Sequence, residues 1–184
     1  YFSWGETETK TYYPRKGSKW GDADLATLIS QGVINSDNNL ISQYDAASVF
    51  WGIEWNMPTS ENFEELVNYC TYKWIERNGV NGILFTSKAN NNTVFFPCAG
   101  FKRDSEPTVQ IGNRGYYSAA TANDDTYSSY YLYLSKENVN VSSFSRSHGL
   151  TIRPVRKKDI DGYQYVDLGL PSGTLWAKMN LNSP

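Results

Sequence analysis

Histidine is almost missing from this chain of 184 residues, and His148 is the only one. Imidazole carries much of general-base and metal-ligand chemistry. A lone histidine in the Ser-rich turn Arg146-Ser147-His148-Gly149 has no Ser/His/Asp or Cys/His set around it. The expectation is an ordinary surface histidine in a protein that is not an enzyme. Cysteine is nearly as scarce, since Cys70 and Cys98 are too few for a disulfide framework. One bridge and two separately buried thiols both fit a helix end at Cys70 and an apolar strand at Cys98. An excess of either charge is also missing. Seventeen Lys and Arg against 19 Asp and Glu leave a net charge of -2 and a pI of about 5.4, so nothing favours nucleic acid or an anionic membrane surface. No apolar run approaches the ~20 residues that span a bilayer, and no signal peptide is visible. Membrane insertion of this domain is not expected. The chain begins inside a motif, so the lack of a leader does not bear on compartment. A phosphate loop is lacking as well, because Gly112-x-x-Gly115 is too short for one.

Aromatic and small polar residues are abundant instead. Aromatics make up 15% of the chain at a mean hydropathy of -0.55, with 14 Tyr, 19 Ser and 17 Asn. That aromatic content argues against disorder, and the length suits one domain over residues 1–184 with a real core. Tyr, Ser, Asn and Gly together fit many loops and short strands, and the same mixture occurs at binding surfaces.

Local signals place a few elements. Asp24 to Ile29 reads as one or two helical turns, and Asp37-Asn38-Asn39 as a turn. Asp45 is placed to cap a short helix over 46–50 that ends at Trp51-Gly52. Thr59 is the expected N-cap of the clearest helix. Phe63, Leu66, Val67 and Cys70 form its apolar stripe, and Asn62 stands where a capping-box Glu would be stronger. Trp4, Trp51 and Trp55 read as core side chains. Gly82 to Thr86 and Thr93 to Pro97 flank the polar tip 88–92 as a hairpin. Ser129 to Leu134 alternates as a strand with Leu132 and Leu134 inward, and Val139 to Phe144 is another strand. Asp161-Gly162 predicts a tight hairpin in which Leu150 to Val155 faces Tyr163 to Leu168. Pro154 marks an edge or bulge, and Thr174 to Met179 offers one more strand.

Several of these segments resemble the Fibrobacter succinogenes major paralogous domain, a family of surface domains of gut Bacteroidetes. The similar residues are Tyr1 to Glu6 (YFSWGE), Trp55 to Thr59 (WNMPT), Cys70 to Trp74 (CTYKW), Asn78 to Gly82 (NGVNG) and Val94 to Gly100 (VFFPCAG). Tyr116 to Ala119 (YYSA), Gly149 to Arg156 (GLTIRPVR) and Tyr165 to Leu181 (YVDLGLPSGTLWAKMNL) complete the set. Asn56 stands where the family has a basic residue, Cys98 in the first Ala position and Tyr117 in place of Trp. The order is inverted: the family opens on the segment found here at 163–184 and closes on RPVR. The resemblance therefore implies one domain cut in its first loop, or a window on a tandem array, with strand exchange between neighbouring repeats as one way to complete it.

The family's architecture implies an α+β, C-type-lectin-like fold, with two short helices packed on mostly antiparallel short sheets and terminal strands paired. It further implies a secreted or cell-surface module, such as an adhesin, whose partner is a glycan or a surface protein. Calcium lectins of that architecture carry EPN or QPD followed by WND. Glu106-Pro107-Thr108 and Asn123-Asp124 break both motifs, so no metal or other cofactor is expected, even though Asp124, Asp125 and Glu106 offer oxygen ligands. The expected recognition surface lies in 112–131. Tyr116, Asn123, Asp124, Asp125, Tyr127 and Tyr130 line an exposed patch there, with Arg114 and His148 at its rim. Two alternatives stand: half of these tyrosines face the interior, or the module is a spacer of a fimbrial or repeat assembly without a ligand of its own.

Overall fold

A computed structural model describes residues 1–14, 17–125, 127–157 and 164–181. Three short helices lead: α1 (Leu25–Ser30), α2 (Ala46–Trp51) and α3 (Ser60–Tyr69). Each starts on a side chain that satisfies an otherwise orphaned amide. Asp24 accepts from Thr27 N at 2.7 Å, Asp45 from Ser48 N at 3.0 Å and Thr59 from Asn62 N at 3.3 Å. Asn62 completes a capping box by accepting from Thr59 N at 3.0 Å. Asparagine therefore does what the sequence reading reserved for glutamate. Phe63 and Leu66 are fully buried, as their spacing predicts.

Among the described residues nine strands follow in three antiparallel sheets, which makes the fold α+β with three helices where two were expected. The first sheet orders β1 (Cys70–Arg77), β2 (Val80–Ser87) and β3 (Thr93–Pro97). Strand β1 leaves α3 without a loop. It turns at Asn78-Gly79, both at positive φ (52° and 77°), as a two-residue type I′ hairpin requires. The second sheet orders β4 (Gly115–Ala122), β5 (Ser128–Leu134) and β6 (Val139–Ser145). Leu132 and Leu134 point inward, as expected, and Tyr131 on the opposite face is also buried, at 7% exposure.

The third sheet corrects a prediction. Strand β9 (Leu175–Ala177) lies between β7 (Val155–Arg156) and β8 (Tyr165–Asp167). The strands flanking Asp161-Gly162 therefore do not face each other, and that turn lies outside the described residues. Burial separates β9 from β8, and composition separates it from β7, whose two residues are buried as well but include Arg156. All three residues of β9 are buried, whereas β8 has one buried, one half-buried and one exposed residue. The most apolar strand takes the centre. The turn closed by Gly173 N to Leu170 O (2.9 Å) brings it there. Pro154 contributes its carbonyl, which accepts from Ala177 N at 3.0 Å.

The main core joins α3 to all three sheets, with the Trp176 ring 5.7 Å from Phe63 and 5.6 Å from Phe96. A second cluster gathers Trp4, Trp20, Leu28, Val33, Ala120 and Ile152, and a third holds Phe101, Tyr116, Tyr131 and Leu150. Trp4 and Trp55 are buried, while Trp51 is half-buried and edge-on to Trp55 at 5.1 Å. Cys70 and Cys98 are separate buried thiols, not a disulfide; burial pushes them up to about 11 and about 12. Phe2 exchanges two backbone hydrogen bonds with Leu150, and Leu181 N donates to Ile152 O at 2.9 Å. Tyr1, Phe2, Asn180 and Leu181 thus line one cavity of about 340 Å³. Residues 182–184, the end of the segment that resembles the family's opening, lie outside the described residues.

Candidate functional site

The residues proposed from the sequence do not form one exposed patch. Tyr116 is buried at 5% exposure. Its ring lies 4.8 Å from Phe101 and stacks on Tyr131 at 5.6 Å, and its hydroxyl donates to Gln110 Oε1 at 2.6 Å. Burial raises its pKa. Arg114 is exposed, with its guanidinium 5.9 Å from the Tyr133 ring, at the rim of this aromatic cluster. His148 belongs to the same cluster, half-buried and stacked on Phe144 at 4.6 Å.

Asn123, Asp124, Asp125 and Tyr127 sit at the β4–β5 turn. Tyr116 lies six residues back along β4, roughly 20 Å away at strand rise. The turn uses its own polar groups. Asn123 Oδ1 accepts from Asp125 N at 3.2 Å, and Asp125 Oδ1 accepts from Tyr127 N (2.9 Å) and Ser128 N (2.6 Å). Asp124 and Tyr127 are exposed. Tyr130 is half-buried against the main core. Three of the eight, Tyr116, Tyr130 and His148, thus pack against other side chains, because both faces of the second sheet are covered, and His148 is not the ordinary surface residue that was expected.

A different place gathers polar side chains from distant segments. A cleft of about 280 Å³ is bordered by the turn before α2, the caps of α2 and α3, the middle of β4, the end of β7 and the residue before β9. Its polar lining includes Asn35, Asn39, Asn56, Asn62, Arg156 and Lys157, and Leu40, Met57, Ala120 and Val155 supply apolar floor. Backbone bonds stitch the walls. Leu40 N donates to Ala120 O (3.1 Å), Ala120 N to Pro58 O (2.8 Å), and Asn56 and Val155 exchange a pair at 2.9 Å.

Each asparagine is anchored. Asn35 Oδ1 accepts from Asp37 N and Asn39 N, both at 3.0 Å. Asn39 Oδ1 accepts from the Thr121 hydroxyl at 2.6 Å, and Asn56 Nδ2 donates to Ser48 Oγ at 3.0 Å. Asn62 Nδ2 donates to Thr174 Oγ1 at 3.1 Å. The other ends of three carboxamides, Nδ2 of Asn35 and Asn39 and Oδ1 of Asn56, make no hydrogen bond to any described residue. Two donors and one acceptor are therefore left over on side chains fixed at one end, in residues that line the cleft. Arg156, 3% exposed, holds its guanidinium 5.0 Å from the Trp55 ring and 5.7 Å from that of Tyr165. Sequence reasoning missed this site. The only signal for it was the abundance of asparagine, which does not say which ones converge.

Asp45 supports the cleft from below and is buried at 1% exposure. Burial raises its carboxyl to about 6, against the partial relief given by the amides of Met57, Ser48 and Ala47. Between its ordinary value of 3.8 and about 6, the folded chain keeps a proton that the unfolded chain has released. This contribution to stability is therefore complete below about pH 4 and is lost as pH rises through about 6, a change on the order of 3 kcal/mol. Chemical unfolding of wild type and Asp45→Asn across this range should show the difference. The expected result is a wild-type stability that falls relative to the variant as pH rises. Parallel profiles would remove Asp45 as the cause.

Among the described residues no three His, Cys, Asp or Glu side chains are grouped to hold a metal ion, and no helix is long and apolar enough to cross a membrane. A family described as a domain of unknown function (DUF8237) matches residues 81–155, from β2 to the first residue of β7. No curated protein and no solved structure matches the chain. The matched stretch contains Ala120 and Val155 of the cleft, and the four asparagines lie before it.

Proposed function

We propose that this chain is a non-catalytic recognition module of C-type-lectin-like architecture, secreted or displayed at a cell surface, that binds a saccharide in the asparagine-lined cleft. The observation that carries this reading is the set of half-anchored carboxamides. Hydroxyls both donate and accept, so a sugar can satisfy Nδ2 of Asn35 and Asn39 and Oδ1 of Asn56 together. Side chains already fixed at one end lose little conformational freedom on binding. The architectural part rests on helices packed against short antiparallel sheets, with the RPVR strand β7 and the YVDLGL strand β8 joined through β9.

A glycan array run with calcium and with a chelator tests the reading. Binding to a limited set of saccharides is expected, unchanged by chelation. Asn39→Ala should weaken it by about tenfold, the equivalent of one hydrogen bond. Binding that requires calcium, or that ignores Asn35, Asn39 and Asn56, contradicts this assignment. An array with no binder at all favours the spacer role.

A further inference from the structure

We propose a second binding site, on the outer face of the first sheet and the groove beside it, for a saccharide that carries an anionic group. Strand register defines the face. Lys73 stands opposite Leu84 and Leu84 opposite Phe95, while Arg77 stands opposite Val80. Alternation sends these side chains to one side and Ile83, Phe85 and Phe96, all within 1% of full burial, to the core side. Glu76 is the only acid in β1, β2 and β3, and its parity turns it to the opposite side, where it is exposed near the end of β1. The outer side therefore carries cations, apolar groups and threonines with no carboxylate.

A glycine shapes this surface. A Cβ on Gly82 would meet the Phe95 ring at 2.7 Å, so the missing side chain lets that ring cross over β2. The Arg77 guanidinium lies 5.9 Å from the ring. Beside it a groove of about 400 Å³ runs between β3 and β8, each an edge of its own sheet. Arg77, Asn92, Thr93, Phe95, Val166 and Lys178 line it, and none of its described lining residues is acidic. Asp167, next to Val166, is turned onto the Gly169 amide at 2.7 Å.

The volume falls within the range of small-ligand sites, ~300–1,000 Å³. Two exposed cations fit a carboxylate or sulfate, and an aromatic ring beside amide and hydroxyl groups fits a sugar ring. Nucleic acid fits less well. One ring gives no row of stacking platforms, and the chain's net charge is -2, which offers little to a run of phosphates. The face shares no described residue with the asparagine-lined cleft, so either site can fail alone.

Calorimetric titration tests the proposal with four ligands: a hexuronic acid oligomer, its neutral methyl ester, a sulfated oligosaccharide of equal length and a single-stranded oligonucleotide. At least one of the two acidic sugars should bind, and the tighter identifies the anionic group. The ester should bind at least about tenfold more weakly. Arg77→Ala/Lys178→Ala should lose at least about tenfold in affinity for the acidic sugar at unchanged melting temperature, and Lys178→Ala alone should lose part of it. Equal binding of acid and ester overturns the proposal, as does an unchanged affinity in both variants. So does an oligonucleotide that binds more tightly than either acidic sugar through the same two residues, or no binding by either acidic sugar.

Discussion

Replacing Trp176 by alanine should cost about 4 kcal/mol of unfolding free energy, near the upper end for a single core residue. The indole is fully buried on β9, the central strand of the third sheet. It packs against Phe63 of α3 and Phe96 of β3, so its loss opens a cavity where a helix and two sheets meet. Elements this closely packed cannot collapse into such a space without moving one another. The cost should show as a lower urea midpoint with little change in slope. A loss under ~1 kcal/mol would mean that β9 is not the centre of the core.

Arg146→Met should be nearly as damaging, at roughly 3–5 kcal/mol, because it removes donors from buried acceptors while keeping most of the volume. Arg146 is 1% exposed and donates to five carbonyls: Nε to Ser128, Nη1 to Trp20 and Ala23, Nη2 to Asn123 and Asp125. The guanidinium lies 5.0 Å from the Trp4 ring. Burial lowers its pKa, and the nearby Asp125 opposes that shift. One side chain thus ties the β4–β5 turn to the segment before α1. Lysine should not rescue it, since a single ammonium cannot reach carbonyls spread over so many directions. Hydrogen exchange should then speed up at Tyr127 and Ser128 before it does in β1 or β2. If Arg146→Lys is as stable as wild type, the multiple hydrogen bonds are not what holds the turn.

The parts of the fold that were legible in the sequence are those set by neighbouring residues. Asp45 and Thr59 announced two helix starts because a cap is a local bond, while the turns after Asp24, capped in the same way, proved to be a third helix. The β2–β3 hairpin followed from two apolar runs around a polar tip. Strand β1 was missed, although Asn78-Gly79 carries the same type of hairpin signal as Asp161-Gly162. The residues before it, CTYKWIER, mix polar and aromatic side chains and leave a helix without a break. The order of the third sheet was illegible for another reason. A turn signal states that two strands reverse direction and does not rank which of three becomes central; that place goes to Leu175, Trp176 and Ala177, the strand without a polar side chain.

The candidate site shows the same limit. Its asparagines lie in ordinary turns and caps, and only the fold brings Asn35 and Asn39 beside Asn56 and Asn62. The tyrosine-rich segment 112–131 drew attention by composition, but Tyr116 and Tyr130 pack against other side chains. Buried arginine was equally hidden. Arg146, Arg153 and Arg156 are each no more than 3% exposed, whereas charge in a sequence is read by default as surface. Arg153 donates to the carbonyls of Ala177 (3.0 Å) and Phe95 (2.9 Å) and so joins the third sheet to the first.

The most direct test of the recognition site is an NMR titration of the side-chain carboxamides with the saccharide that binds most tightly on the array. The resonances of Asn35, Asn39 and Asn56 should shift together and saturably, at one dissociation constant that agrees with calorimetry, while the Tyr127 backbone amide stays in place. Shifts confined to the β4–β5 turn around Asp124 and Tyr127, with the three carboxamides unmoved, would contradict the assignment and return the site to the tyrosine-rich segment.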